Sequence, residues 1–111
     1  MGQLSGKLRD WTHLERKGLV FFCPGCQSGH SILTSAGGWG WNGDIEYPTF
    51  TPSVLVTHEA VPEASDKFKE WRTARICHSF VTDGRIQFLS DSTHSLAGQT
   101  VELADFPPNY G

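Results

Sequence analysis

The chain has 111 residues, 38% of them hydrophobic, and a formal net charge of −3. That length suits one domain with a modest core, and mild acidity argues against a strong attraction to nucleic acid or an anionic membrane. No run approaches the roughly 20 apolar residues of a spanning helix and no apolar leader opens the chain, so the expected setting is a cytoplasm and the expected organisation a single domain over 1–111.

Twelve glycines and six prolines favour short strands and tight turns over long helices. Residues 1–17 are polar and mixed, with Trp11 and Leu14 as anchors, and read as a frayed segment or a short helix. Two basic clusters, Lys7, Arg9, Arg16 and Lys17, then Lys67, Lys69, Arg72 and Arg75, are interleaved with acids. They read as solvated surface, with a weak phosphate-binding patch as the alternative.

Gly18-Leu19-Val20-Phe21-Phe22 predicts a buried strand running into Cys23-Pro24-Gly25-Cys26, and His30-Ser31-Ile32-Leu33-Thr34 a second strand leaving it. Trp39 and Trp41 lie two apart and share a face if extended. They either cover a small core or offer a stacking platform. Pro48-Thr49-Phe50-Thr51-Pro52 cannot be helical and leads, extended, into a strand over 53–57.

Residues 65–72 have helical spacing of Phe68, Trp71 and Arg72 behind a Ser65 cap. Two β-rich runs then flank Asp83-Gly84, the signature of a type I′ hairpin. Residues 91–98 predict one or two helical turns stopped by Gly98, and 100–103 a last strand before a tail at 106–111. The fold class that follows is mostly β: a small sandwich, barrel-like or zinc-ribbon-like sheet with one or two short helices, stabilised by metal.

Three cysteines fit poorly with a disulfide framework. A Cys-x-x-Cys turn between strands aims two sulfurs at one point and points to Zn2+. A redox pair is the rival, but that motif belongs ahead of a helix. The two-residue hairpin turn places Cys77 on the core face with Val81, Ile86 and Phe88, and His78 on the other. Only one of these neighbours can therefore serve a given site from a regular strand. His30 or His94 would complete the ligand set Cys23, Cys26, Cys77. Asp91 precedes His94 by three and can orient its imidazole or cap the turn. The second arrangement gathers His30, His78, Asp91 and His94 as surface chemistry, with Asp91, His94 and His78 as catalytic candidates.

The run Cys-Pro-Gly-Cys…His (23–30), Trp-x-Trp-Asn-Gly (39–43), Pro-Thr-Phe-Thr-Pro-Ser-Val (48–54) and Cys-His-Ser-Phe-Val-x-Asp-Gly-Arg-Ile-x-Phe-Leu-x-Asp-x-Thr-His-x-Leu-Ala-Gly-Gln-Thr-Val (77–101) resembles an uncharacterised family encoded largely by tailed phages and prophages. Its members often carry the label "ammonia monooxygenase". That label conflicts with a chain lacking any apolar span and offering soft sulfur donors, which favour zinc over an oxygenating Cu(II) site. The resemblance implies Cys23, Cys26, His30, Cys77, His78, Asp91 and His94 as the functional set.

Three functions follow from this reading. The first is a small zinc-stabilised phage accessory protein that binds a host or phage macromolecule. The second is a zinc-dependent hydrolase with an open metal site beside Asp91 and His94. The third, a nucleic-acid-binding module, is disfavoured by the net charge.

Overall fold

The structure, a computed structural model, describes residues 2–35 and 37–108. The described strands form two antiparallel meanders. One sheet runs in order through β1 (Gly2–Gln3), β2 (Leu8–His13), β3 (Arg16–Cys23) and β4 (Ser28–Leu33). The other runs through β5 (Gly40–Trp41), β6 (Phe50–His58), β7 (Arg75–Thr82), β8 (Arg85–Phe88) and β9 (Thr100–Glu102).

Period-two alternation decides what each strand buries. The first sheet sends Leu8, Leu19, Phe21, Cys23 and Ile32 inward, and the second sends Phe50, Val54, Cys77, Val81, Ile86 and Phe88 to meet them in one core. Phe21 and Phe50 stack across the gap with ring centroids 5.8 Å apart. A bridge between Phe22 and Ala104 ties the end of the chain back to β3. The fold is thus mostly β, with two sheets sharing one core.

The hairpin over 75–88 has the predicted register, with Thr82 opposite Arg85, Val81 opposite Ile86 and Ser79 opposite Phe88. Asp83 and Gly84 take the two positive φ angles, 51° and 77°, that its turn requires. Trp39 and Trp41 pack against the core edge, as the first of the two readings expected.

Three segments differ from expectation. Within 1–17, residues 8–13 form a strand paired along its length with β3, rather than a frayed end or helix. Only Leu8 of that strand is deeply buried, so its alternation is weak in the sequence. Over 66–72 the chain makes 3-10 turns kinked at Phe68, and Ser65 makes no side-chain cap. Stacking of Phe68 on Trp71, centroids 4.5 Å apart, fits that kink. Residues 91–98 form turns rather than helix, because their hydroxyls bond to β7 instead of to their own backbone. At the tail, Phe106 packs on Phe22, and 109–111 lie outside the described residues.

Candidate functional site

β7 carries the chemistry, because its neighbours Cys77 and His78 point to opposite faces of the sheet. Cys77 is 1% exposed and faces the core. There it meets the tight turn between β3 and β4, which brings in Cys23 and Cys26, and His30 from β4. The ligand atoms of Cys23, Cys26, His30 and Cys77 all lie within 4.8 Å of one another. The Cys23 and Cys77 sulfurs are 3.7 Å apart. Two thiolates on a tetrahedral zinc with bonds of about 2.3 Å would sit roughly 3.8 Å apart.

The charges of the cluster make the same point. Hydrogen bonds from the Cys26 thiol, then from Cys77, hold Cys23 well below the usual thiol range. The same contact with Cys23 pushes Cys26 up to about 12, and Cys77 is pushed up as well, by Cys23 first and Cys26 second. Three sulfurs held this close oppose one another's ionisation. A divalent cation is what allows all three sulfurs to ionise together. The Cys26 amide, 3.3 Å from the Cys23 sulfur, adds a donor to that thiolate. His30 is buried and presents a ring nitrogen to the same cluster, and its Nε2 has no hydrogen-bond partner.

His94 stands beside this group of four. Its Nδ1 accepts the Leu96 amide at 3.2 Å, which leaves the Nε2 proton to point at the Cys77 sulfur, 3.5 Å away. The imidazole also packs edge-on against Phe88 and so tightly over Gly25 that a Cβ there would overlap it. A cavity of about 320 Å3, lined in part by Cys26, His58, Trp71, Arg75 and His94, opens on this side. Burial first, then the Arg75 charge, lowers the His58 pKa there.

On the other face, His78 is the centre of a linear array. Its Nε2 lies 3.0 Å from Ser53 Oγ, and its Nδ1 lies 3.1 Å from Asp91 Oδ2. A carboxylate can only accept, so Nδ1 carries the proton and Nε2 is left to receive the one from Ser53. The His78 side chain is 25% exposed and that of Asp91 55%, so the array is open to solvent.

Each member has a local reason to be there. Between Phe50 and Val54 the register of β6 shifts, four steps on β6 matching two on β7. Such a bulge re-aims side chains, and Pro52, with no amide proton, suits it. Ser53 emerges beside Val54, on the face opposite the core. The Trp39 indole donates to the Ser53 carbonyl at 3.1 Å and fixes the backbone there.

The run Asp91-Ser92-Thr93-His94 clips β7 from the far side. Ser92 Oγ accepts the His78 amide at 3.0 Å and donates to its carbonyl at 3.1 Å. Thr93 Oγ1 does the same for Ile76, at 3.0 and 3.2 Å. Asp91 then reaches His78 on one face while His94 reaches Cys77 on the other.

Of the residues singled out from the sequence, the structure brings Cys23, Cys26, Cys77 and His30 together and sets His94 next to Cys77. It separates the proposed surface group: His78 and Asp91 meet, whereas His30 is buried in the cluster. Ser53 was not singled out as a site residue. Its only sequence signal is its place at the end of Pro48-Thr49-Phe50-Thr51-Pro52-Ser53. Ser79, the residue after His78, is buried on the core face with its Oγ unpartnered.

A hydroxyl, an imidazole and a carboxylate in this order can deliver a nucleophilic oxygen to a carbonyl. Among the described residues, no helix is long and apolar enough to cross a membrane. The model of a family described as "Bacterial ubiquitination-like system serine protease (BubE)" matches residues 5–89. That stretch holds Ser53, His78 and all four clustered donors, and Asp91 lies just beyond it. Comparison with curated proteins and with solved structures gives no match.

Proposed function

The chain belongs to the BubE family, and from that premise we propose that it is a serine hydrolase that cleaves the acyl bond at the C-terminal tail of a ubiquitin-like protein. The observation that carries this reading is the array Ser53–His78–Asp91, with contacts of 3.0 and 3.1 Å on an open sheet face.

In this mechanism His78 Nε2 takes the Ser53 proton as Oγ attacks the scissile carbonyl. Asp91 holds the productive tautomer and stabilises the imidazolium. The imidazolium returns its proton to the leaving amine, and the tail remains as an ester on Ser53. Water, deprotonated by the same imidazole, then releases the carboxylate and restores the serine.

The metal in this reading is Zn2+ held by Cys23, Cys26, His30 and Cys77. Three sulfurs and one nitrogen favour zinc, and these four donors would satisfy its usual ligand count. It supplies structural cross-linking, and the hydrolase nucleophile is a serine rather than a metal-bound water. A cluster of reduced thiols suits a bacterial cytoplasm.

The test uses a ubiquitin-like protein bearing a short C-terminal extension, followed by mass spectrometry. The purified chain is expected to remove the extension, and Ser53→Ala to lose activity by on the order of 10^4-fold while keeping its zinc. Equal cleavage by Ser53→Ala would end the proposal.

A further inference from the structure

Among the described residues, the strand that presents Ser53 is also an incomplete edge. β5 pairs with β6 only at Phe50 and Thr51, and β7 covers the other side from Val54 to His58. The hydrogen bonds of β7 reveal which groups of β6 are left over. Ile76 and His78 direct their backbone amides and carbonyls away from β6, to Thr93 and Ser92. In an antiparallel pair alternate residues face alternate sides, so Arg75, Cys77 and Ser79 face β6 and bond with their partners His58, Val56 and Val54. Leu55 and Thr57 therefore direct their amides and carbonyls to the open side. Ser53 follows the same parity, and its carbonyl is there already taken by the Trp39 indole.

We propose that the free edge of β6 receives the substrate tail as an added β-strand, bonded to the backbone of Leu55 and Thr57 and ending at Ser53. This rests on the proposed hydrolase reading and specifies how its substrate is held. Continuity with the nucleophile selects the occupant: a peptide lying along this edge is led directly to the Ser53 hydroxyl. An edge this open is a pairing template unless something covers it, and strand addition is a recurring way to hold extended peptides. The sheet's outer face offers apolar shoulders for the tail's side chains. Leu55, 54% exposed, lies opposite His78, and Phe80, 43% exposed, follows on the same face.

Thr57→Pro is the direct test, because it deletes an amide proton that faces the open side and leaves the ladder to β7 intact. Three readouts are compared: cleavage of the extended ubiquitin-like substrate, hydrolysis of a small activated ester, and labelling of Ser53 by a fluorophosphonate. The variant is expected to lose about 10-fold or more in kcat/KM on the protein substrate, mainly through KM, with ester hydrolysis and labelling unchanged. Wild-type kcat/KM on the protein substrate would overturn strand addition and leave the hydrolase standing. Failure of the wild-type chain to label at Ser53 would overturn both. Should Thr57→Pro not fold, peptide substrates N-methylated at successive positions are assayed on the wild-type chain. Sensitivity at every second position supports the added strand, and uniform tolerance overturns it.

Discussion

The two faces of β7 are built to opposite specifications. On the inner face, Cys77 is 1% exposed and joins donors from β3, β4 and the turn between them. On the outer face, one residue later, the His78 side chain is 25% exposed and its ring nitrogens hydrogen-bond to Ser53 and Asp91. The inner face fixes the strand, and the outer face uses its fixed position. A linear array with two hydrogen bonds tolerates little drift, and it stands on the reverse of the buried Cys23–Cys26–His30–Cys77 cluster.

The largest expected effect comes from breaking the inner face. Cys23→Ser removes a buried sulfur from the four-donor cluster. With zinc bound as proposed, metal binding is folding free energy, so the loss should approach the whole stability of a small domain, roughly 5–15 kcal/mol. Zinc content and the thermal transition should vanish together, and hydrolysis with them. The outer-face counterpart, His78→Ala, should abolish hydrolysis while shifting stability by only about 1 kcal/mol, the worth of its hydrogen bonds. A Cys23→Ser chain that keeps its zinc and its melting temperature would remove the distinction between the faces.

A smaller effect is expected at the joint between them. His94→Phe keeps a ring against Phe88 but deletes the donor to the Cys77 sulfur. Outer donors to metal ligands are typically worth 10–100-fold in metal affinity. Competition with a chromogenic chelator should show a weakening of that order, with near-normal hydrolysis in excess zinc. A complete loss of zinc would make His94 a ligand rather than a neighbour.

The smallest effect belongs to the loop ahead of β6. The amides of Tyr47 and Glu46 hold the Asp44 carboxyl below its ordinary value of 3.8. A carboxyl whose folded pKa is depressed stabilises the fold fully above the unfolded value and loses that contribution as pH falls through the folded one. Acid unfolding of Asp44→Asn, followed by tryptophan fluorescence, should start from lower stability at pH 6 and converge with the wild type as pH falls below the ordinary carboxyl value of 3.8. Parallel curves across that range would show that Asp44 contributes nothing.

The inner face was largely readable from the sequence. Cys23-x-x-Cys26 has the bite of a metal turn, His30 follows on the outgoing strand, and the Asp83-Gly84 turn fixes the register that sends Cys77 inward. Such signals are local, carried by spacing within one turn or one hairpin. The outer face was only half readable, because Ser53 joins His78 across the pairing of β6 with β7, and a bulge shifts that register. A single serine on a strand has no spacing to announce it. Strand β2 escaped for a related reason: as a half-exposed strand it buries one residue deeply, and its polar composition resembles a loose terminus. The resemblance to phage-borne proteins led toward an accessory binding role, whereas the family match names a protease of a bacterial system.

The most direct measurement is mass mapping of the zinc-loaded chain after treatment with a fluorophosphonate. One covalent adduct is expected, on Ser53, and it should be absent in His78→Ala although that variant keeps its fold and its zinc. An adduct on another residue, or undiminished labelling of Ser53 in His78→Ala, would contradict the proposed serine mechanism.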